Sequence, residues 1–132
     1  MQSPAMTRLT IRIDFDAGGG LGPGKARLLE LIDELASLRR AAAAMEMSYR
    51  KAWLLIQAAE ESFGAKLVET ATGGAHGGGS KLTAKGRDVL AHYRAIETKS
   101  AAAARSEIAA LSRLATGKAP KTGTKRKLRR KS

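Results

Sequence analysis

A run of seven residues, 73–79, contains five glycines and separates two short segments of strand-like composition. These segments are Lys66–Thr70 and Ser80–Leu82. Glycine adopts backbone conformations that other residues avoid, so this run predicts a β-hairpin with a glycine-rich tip. The sequence therefore predicts a two-stranded ribbon at this point.

Three predicted helices lie before the hairpin. The first covers about 24–38, with leucine and isoleucine at the i, i+3, i+4, i+7 spacing of a buried stripe. Its members are Leu28, Leu31, Ile32 and Leu35. A short alanine-rich helix is predicted over 38–45. The third helix is predicted to follow Ser48, a residue suited to capping a helix N-terminus, and to end at Phe63 before Gly64.

The two ends of the chain have different characters. Residues 1–8 are predicted to be a flexible leader, 9–15 alternate as in a half-buried strand, and 17–24 form a glycine-rich loop. After the hairpin, Thr83 is predicted to cap a long helix that reaches Ala115. We therefore expect one domain over 9–115, followed by a disordered tail over 116–132.

The order of strand, three helices, hairpin and long helix is that of a winged helix-turn-helix, an α+β fold. In helix-turn-helix proteins the second helix of the motif enters the major groove of DNA and contacts bases near its start. Here that helix is the one after Ser48. The hairpin would be the wing.

The exposed side of this helix carries the chemistry expected for DNA contact. Arg50 is suited to guanine and Gln57 to adenine, while outward-facing Leu54 matches a thymine methyl group. Tyr49 and Lys51 suit phosphates. The predicted DNA-binding residues are Ser48, Tyr49, Arg50, Lys51, Trp53, Leu54 and Gln57 on the helix, with His76 and Lys81 on the wing.

Each of these features also has a simpler interpretation. Arg50, Lys51 and Gln57 could be solvated surface residues, and Trp53 could be a partly buried packing residue. The glycine-rich segment could be an ordinary loop. It lacks the spacing of a nucleotide-binding P-loop.

The charge of the chain favours a polyanionic partner. The sequence has 24 Lys and Arg against 12 Asp and Glu, a net charge of +12, and eight of the basic residues lie in 116–132 without any acid. Such a segment binds any duplex through counterion release, although it could also serve only solubility. Duplex DNA is therefore the expected partner, ahead of a membrane surface.

Other function classes are disfavoured. The chain has no cysteine and only two histidines, His76 and His92, so no metal or thiol chemistry is expected. No Ser-His-Asp set or nucleotide loop suggests an enzyme or a cofactor. The N-terminus lacks a signal peptide and no apolar run is long enough to span a bilayer, so a cytoplasmic location is expected.

The sequence resembles the N-terminal DNA-binding domain of ModE-type molybdate-responsive transcription regulators over about 9–97, and its helix-turn-helix is similar to that of LysR-type regulators. The matching segments are Leu9–Phe15, Gly22–Lys25, Met47–Trp53, Phe63-Gly64, Leu67–Thr70, Thr72–Gly74, Gly77–Gly79, Leu82-Thr83 and Gly86. The resemblance implies a homodimer that binds a palindromic operator and associates through the long helix after the wing.

Two departures from that family shape the expectations. Full-length members carry C-terminal oxyanion-binding domains, for which we expect no room here, so direct molybdate binding is not expected. Glu46 occupies a turn position where glycine is usual, and a positive φ there would cost about 1 kcal/mol.

Two other functions remain open at this level. A sequence-independent architectural nucleoid protein is favoured by the basic tail. A dimerising protein-interaction module would keep the long helix and bind DNA weakly on its own.

Overall fold

The computed structural model of the protein describes residues 7–71, 79–115 and 117. The predicted tip with His76, the first six residues of the predicted leader, and the predicted tail apart from Gly117 lie outside these described residues. The described residues divide into two units. One is Leu9–Ala103, and the other joins residues 7–8 to those from Ala104 onward.

The first unit has the predicted order of elements. Its strands and helices are β1 (Ile13–Asp14), β2 (Gly20–Leu21), α1 (Pro23–Leu35), α2 (Leu38–Ala44), α3 (Tyr49–Phe63), β3 (Val68–Ala71), β4 (Gly79–Leu82) and α4 (Ala84–Ala103). β1 pairs antiparallel with β2, and β3 pairs antiparallel with β4. The β3–β4 ribbon is the predicted wing and is called the wing below.

The core is built mainly from leucine and alanine, as the scarcity of aromatic residues requires. Its largest fully buried side chains are Tyr93, Leu28, Leu29, Ile32, Leu67 and Leu82. The predicted stripe of α1 faces this core, with Leu35 partly buried at its edge. The first half of α4 closes it through Val89 and Tyr93.

Hydrogen bonds along the wing hold it to the helices. The Ser80 amide donates to the Ala36 carbonyl oxygen over 3.0 Å, and the Leu67 amide donates to a Glu60 carboxylate oxygen over 2.9 Å. At the other end of β4, the Leu82 amide donates to Asp33 Oδ1 over 3.4 Å. The described part of the wing is therefore fixed relative to α1, the α1–α2 turn and α3.

The N-terminal strand is shorter than predicted. Only Ile13–Asp14 of the predicted 9–15 is strand, and its partner β2 lies within the predicted loop 17–24. Two features explain this. The chain reverses tightly after Phe15, whose amide bonds the Gly19 carbonyl over 3.0 Å, and the Ile11 carbonyl accepts from the Tyr93 hydroxyl instead of from a strand neighbour.

The helix predicted after Thr83 starts as expected but does not run unbroken. The Gly86 amide donates to Thr83 Oγ1 over 3.0 Å, which confirms the cap. At Ala104 the backbone leaves α-helical values, with φ −103° and ψ 15°, so that two helices replace the predicted one. The second, α5 (Arg105–Leu114), lies in the second unit.

A network of charged side chains joins α1 to α4. Arg94 bonds Glu30 over 2.9 Å and Glu97 over 2.8 Å, and Arg27 bonds Glu30 over 2.7 Å. The hydrogen bond from Arg27, aided by the charge of Arg94, holds the pKa of the Glu30 carboxyl below its ordinary value. None of the described helices is long and apolar enough to cross a membrane.

Candidate nucleic-acid interface

Helix α3 begins and ends where its local sequence dictates. Ser48 is extended, with φ −69° and ψ 155°, and its hydroxyl accepts from the Lys51 amide over 3.0 Å. At the other end Gly64 adopts the left-handed conformation, with φ 61°. The Ser48 hydroxyl is thus engaged in the cap, which puts Tyr49, Arg50 and Lys51 in the first turn of the helix.

The turn between α2 and α3 has the positive φ that the sequence suggested. Glu46 has φ 57°, and the Met47 amide after it bonds back to the Ala42 carbonyl over 3.0 Å. A side chain in this conformation costs about 1–2 kcal/mol compared with glycine. The tight turn nevertheless forms and sets the angle at which α3 leaves α2.

One face of α3 is buried and the opposite face is open. Ala52, Ile56 and Ala59 lie in the core, as the helical wheel predicts. On the open face three large apolar or aromatic side chains stay substantially exposed: Tyr49 at 45%, Trp53 at 42% and Leu54 at 44%. The polar residues predicted for this face, Arg50, Lys51 and Gln57, are exposed too.

The charge along α3 is asymmetric. Its first turn contains no acidic residue. The two acids of the helix, Glu60 and Glu61, lie in its last turn, and Glu60 is engaged with backbone amides of Leu67 and Val68 and with the Lys66 ammonium. The exposed N-terminal half therefore offers positive charge and apolar surface together, which suits phosphates and base edges.

Arg39 is part of this surface, although the sequence analysis did not select it. Its guanidinium carbon lies 4.6 Å from the centroid of the Tyr49 ring, a cation–π arrangement between α2 and α3. The consecutive Arg39 and Arg40 at the start of α2 were the available signal. Which of the two meets α3 depends on how the helices pack.

On the wing, Lys81 is exposed and stands across the ribbon from Glu69. The two residues form a register pair, and Lys81 Nζ lies 4.0 Å from Glu69 Oε2. Ser80 and Leu82, on the other face of β4, are buried. Lys81 thus points outward as predicted, with part of its charge balanced by Glu69, whereas His76 belongs to the segment that is not described.

No cluster of three or more His, Cys, Asp or Glu side chains that could hold a metal occurs within 7–71, 79–115 and 117.

Comparison with known proteins gives a family match to the region that contains α3 and the wing. Residues 24–87 match the model of the bacterial regulatory helix-turn-helix proteins of the LysR family. The match extends from the first turn of α1, through α2, α3 and the wing, into α4. It supports the predicted similarity to the helix-turn-helix of LysR-type regulators.

Curated relatives at 31–40% identity are molybdenum-related proteins and a transcription regulator. The molybdenum transport protein ModE of Azotobacter vinelandii is 40% identical over 85 residues, which are 64% of this chain and 32% of that protein. The molybdenum-pterin-binding protein MopB of Rhodobacter capsulatus is 38% identical over 80 residues, 61% of this chain and 30% of that protein. The transcriptional regulator ModE of Haemophilus influenzae is 31% identical over 91 residues, 69% of this chain and 36% of that protein.

A solved structure matches the architecture. The CbnR DNA-binding domain in its complex with DNA has a TM-score of 0.51 and 27% identity, covering 66% of this chain and 95% of that one. By contrast, the chain spans only about a third of the length of the curated relatives it matches.

Proposed function

We propose that the chain binds duplex DNA as a transcription regulator through residues 24–87, which match the model of the bacterial regulatory helix-turn-helix proteins of the LysR family. In this proposal the chain acts by binding and not by catalysis. Its place of action is the compartment that holds the chromosome, the cytoplasm of a bacterial cell.

The open face of α3 carries the proposal. Exposed large apolar side chains are unfavourable in water, and on this face they lie beside Arg50, Lys51 and Gln57 without a neighbouring acid in the first turn. A DNA major groove satisfies both kinds of group. On a helix face that contacts only solvent, the exposed apolar surface of Trp53 and Leu54 would be unfavourable.

Specific roles follow from chemistry and position. We assign Arg50 to guanine and Gln57 to adenine as bidentate base contacts, and Leu54 to a thymine methyl group. Tyr49 and Lys51 contact phosphates beside them, and Trp53 packs against the edge of the groove. Ser48 orients these residues through its cap.

We assign contacts with the DNA backbone to the wing. We assign Lys81 to a phosphate. Its ion pair with Glu69 would break when DNA binds, which costs little because a surface ion pair at 4.0 Å is weak. His76 is proposed for the tip of the wing from its place in the glycine-rich sequence alone. The basic residues of 116–132 add affinity that is independent of sequence.

We also propose that the chain binds DNA as a homodimer. No residue of α5 is buried within the described chain, and Leu111 and Leu114 are 65% and 76% exposed. Together with Ile108 they provide an apolar strip at helical spacing, the kind of surface that association covers. Sedimentation of the chain and of Leu111→Lys tests this, since a dimer predicts a lower association constant for the variant and a monomer predicts no change.

Molybdenum enters this proposal only through the names of the relatives. Those names assign no molybdate site to this chain, and we propose none. We expect titration with molybdate in a calorimeter to give no binding heat.

The decisive experiment is selection of bound duplexes from a random pool by the full chain at about physiological salt with excess competitor DNA. A parallel selection uses a chain ending at Ala115, which removes the sequence-independent charge. Enrichment of an inverted repeat in both selections supports a sequence-reading dimer. Binding without enrichment, lost on truncation, would replace the proposal with an architectural function.

A further inference from the structure

A polar concavity lies between the start of α2, the start of α3 and the end of the wing at Ala71 and Gly79, opposite its base. Its volume is about 310 Å³, room for a phosphate group with part of its sugar. It is lined by Ser37, Leu38, Arg39, Tyr49, Thr70, Ala71, Gly79 and Ser80. None of these residues is acidic, and four of them carry a hydroxyl group.

Among the described residues of this lining, Arg39 is the only one with a charged side chain. Its guanidinium lies over the Tyr49 ring at 4.6 Å. Stacking of this kind uses the flat face of the guanidinium and leaves the N–H donors at its edge available. Arg12, Arg27 and Arg94 each lie within 4.0 Å of a carboxylate, whereas no carboxylate of the described residues lies that close to Arg39.

The walls of the concavity are held in place by backbone contacts. The Ser80 amide donates to the Ala36 carbonyl oxygen over 3.0 Å, which joins β4 to the α1–α2 turn. Gly79 makes this approach possible, because a Cβ at that position would lie 2.9 Å from the same oxygen. Ala36 itself adopts φ 57° to present its carbonyl there. The site therefore exists before a ligand arrives.

We propose that Arg39, positioned by Tyr49, anchors a DNA backbone phosphate at this concavity and so sets the register of α3 along the duplex. The proposal rests on the proposed function, since the phosphate belongs to the DNA that α3 reads. The N–H groups at the edge of the Arg39 guanidinium can donate to two phosphate oxygens at once. The neighbouring hydroxyls of Tyr49 and Thr70 supply further donors. A phosphate contact carries no base preference, so Arg39 contributes affinity and position and leaves sequence choice to α3.

The test compares the full-length wild type with three variants on the selected operator and on a scrambled duplex, over a range of salt concentrations. Arg39→Met removes the charge and the hydrogen-bond donors. Arg39→Lys keeps the charge but lacks the planar guanidinium with its paired N–H donors. Arg12→Met removes the same charge from an exposed arginine just before β1 that is paired with Asp14, so it is the matched control. Thermal melting of each variant confirms that it is folded.

We expect Arg39→Met to bind both duplexes about tenfold more weakly and to reduce the salt slope by about 0.9. Arg39→Lys keeps the wild-type slope and recovers only part of the affinity. Arg12→Met stays within about twofold of wild type on both, as expected for an exposed and already paired charge.

Equal losses in Arg39→Met and Arg12→Met would overturn the inference, because long-range charge alone would then explain them. So would full recovery of affinity in Arg39→Lys. If the wild type selects a sequence and Arg39→Met binds it equally well, the phosphate anchor fails while the regulator function stands. If the wild type selects no sequence, the proposed function itself has failed.

Discussion

The hydroxyl of Tyr93 donates a 2.6 Å hydrogen bond to the backbone carbonyl of Ile11, 82 residues away in the chain. The tyrosine side chain is almost fully buried. Burial, the largest effect, and the charge of Glu97 raise the pKa of this phenol above its ordinary value, so it stays a neutral donor. This bond ties α4 to the segment before β1 and closes one side of the helix-turn-helix.

Replacing Tyr93 by Phe tests the importance of that bond. The variant leaves the Ile11 carbonyl without its partner, so we expect a loss of about 1–3 kcal/mol in the free energy of unfolding, measured with urea. Tyr49→Phe removes the same atom from an exposed tyrosine and should change stability by less than about 0.5 kcal/mol. Equal effects of the two changes would contradict the account.

Gly86 is required by close packing of α4 on the backbone of Leu67, the residue before β3. A Cβ at this position would collide with the backbone carbonyl of Leu67. Gly86→Ala should therefore destabilise the fold by about 1–3 kcal/mol in thermal unfolding. Gly24→Ala, in the first turn of α1 with open space around it, should be neutral or stabilise by up to about 1 kcal/mol. A neutral Gly86→Ala would show that the two backbones are not in contact.

The strained turn between α2 and α3 predicts a stabilising change. Glu46→Gly relieves a φ of 57°, and after the entropy cost of glycine we expect a gain of up to about 1 kcal/mol. Glu34→Gly, at an exposed position inside α1, should instead lose about 1 kcal/mol. A loss at position 46 as large as that at position 34 would mean that the turn is not left-handed.

The ion network between α1 and α4 predicts a pH dependence of stability. The pKa of Glu30 is depressed in the folded protein, first by the Arg27 hydrogen bond, so the unfolded chain takes up its proton at higher pH. The stabilisation is present above the ordinary carboxyl pKa and is lost as pH falls through the depressed one. Wild type should therefore lose stability on acidification more steeply than Glu30→Gln, and parallel curves would refute this.

The parts of the site that depend on local signals could be predicted from the sequence, and the parts that depend on packing could not. Ser48 and Gly64 mark the ends of α3 because caps act within one turn of the chain. Arg39 was missed because its partner Tyr49 lies on another helix. Ala36 adopts a left-handed conformation, which a glycine at this position would have suggested and an alanine does not. The hydrogen bond from the Ser80 amide to its carbonyl oxygen stabilises this conformation.

The interruption at Ala104 was also invisible in the sequence. Residues 101–104 are all alanine, the residue with the highest helix propensity, so local preference favours one continuous helix. Nothing in the structure explains why the backbone departs from helical values at this position.

The central claim is that α3 reads bases through Arg50, and it is tested by binding of wild type and Arg50→Ala to the selected operator and to a scrambled duplex. The account predicts that Arg50→Ala loses about 1–3 kcal/mol on the operator and far less on the scrambled duplex, so that sequence preference relaxes at one base pair. An equal loss on both duplexes would make Arg50 a phosphate contact and contradict the claim that this helix face reads sequence.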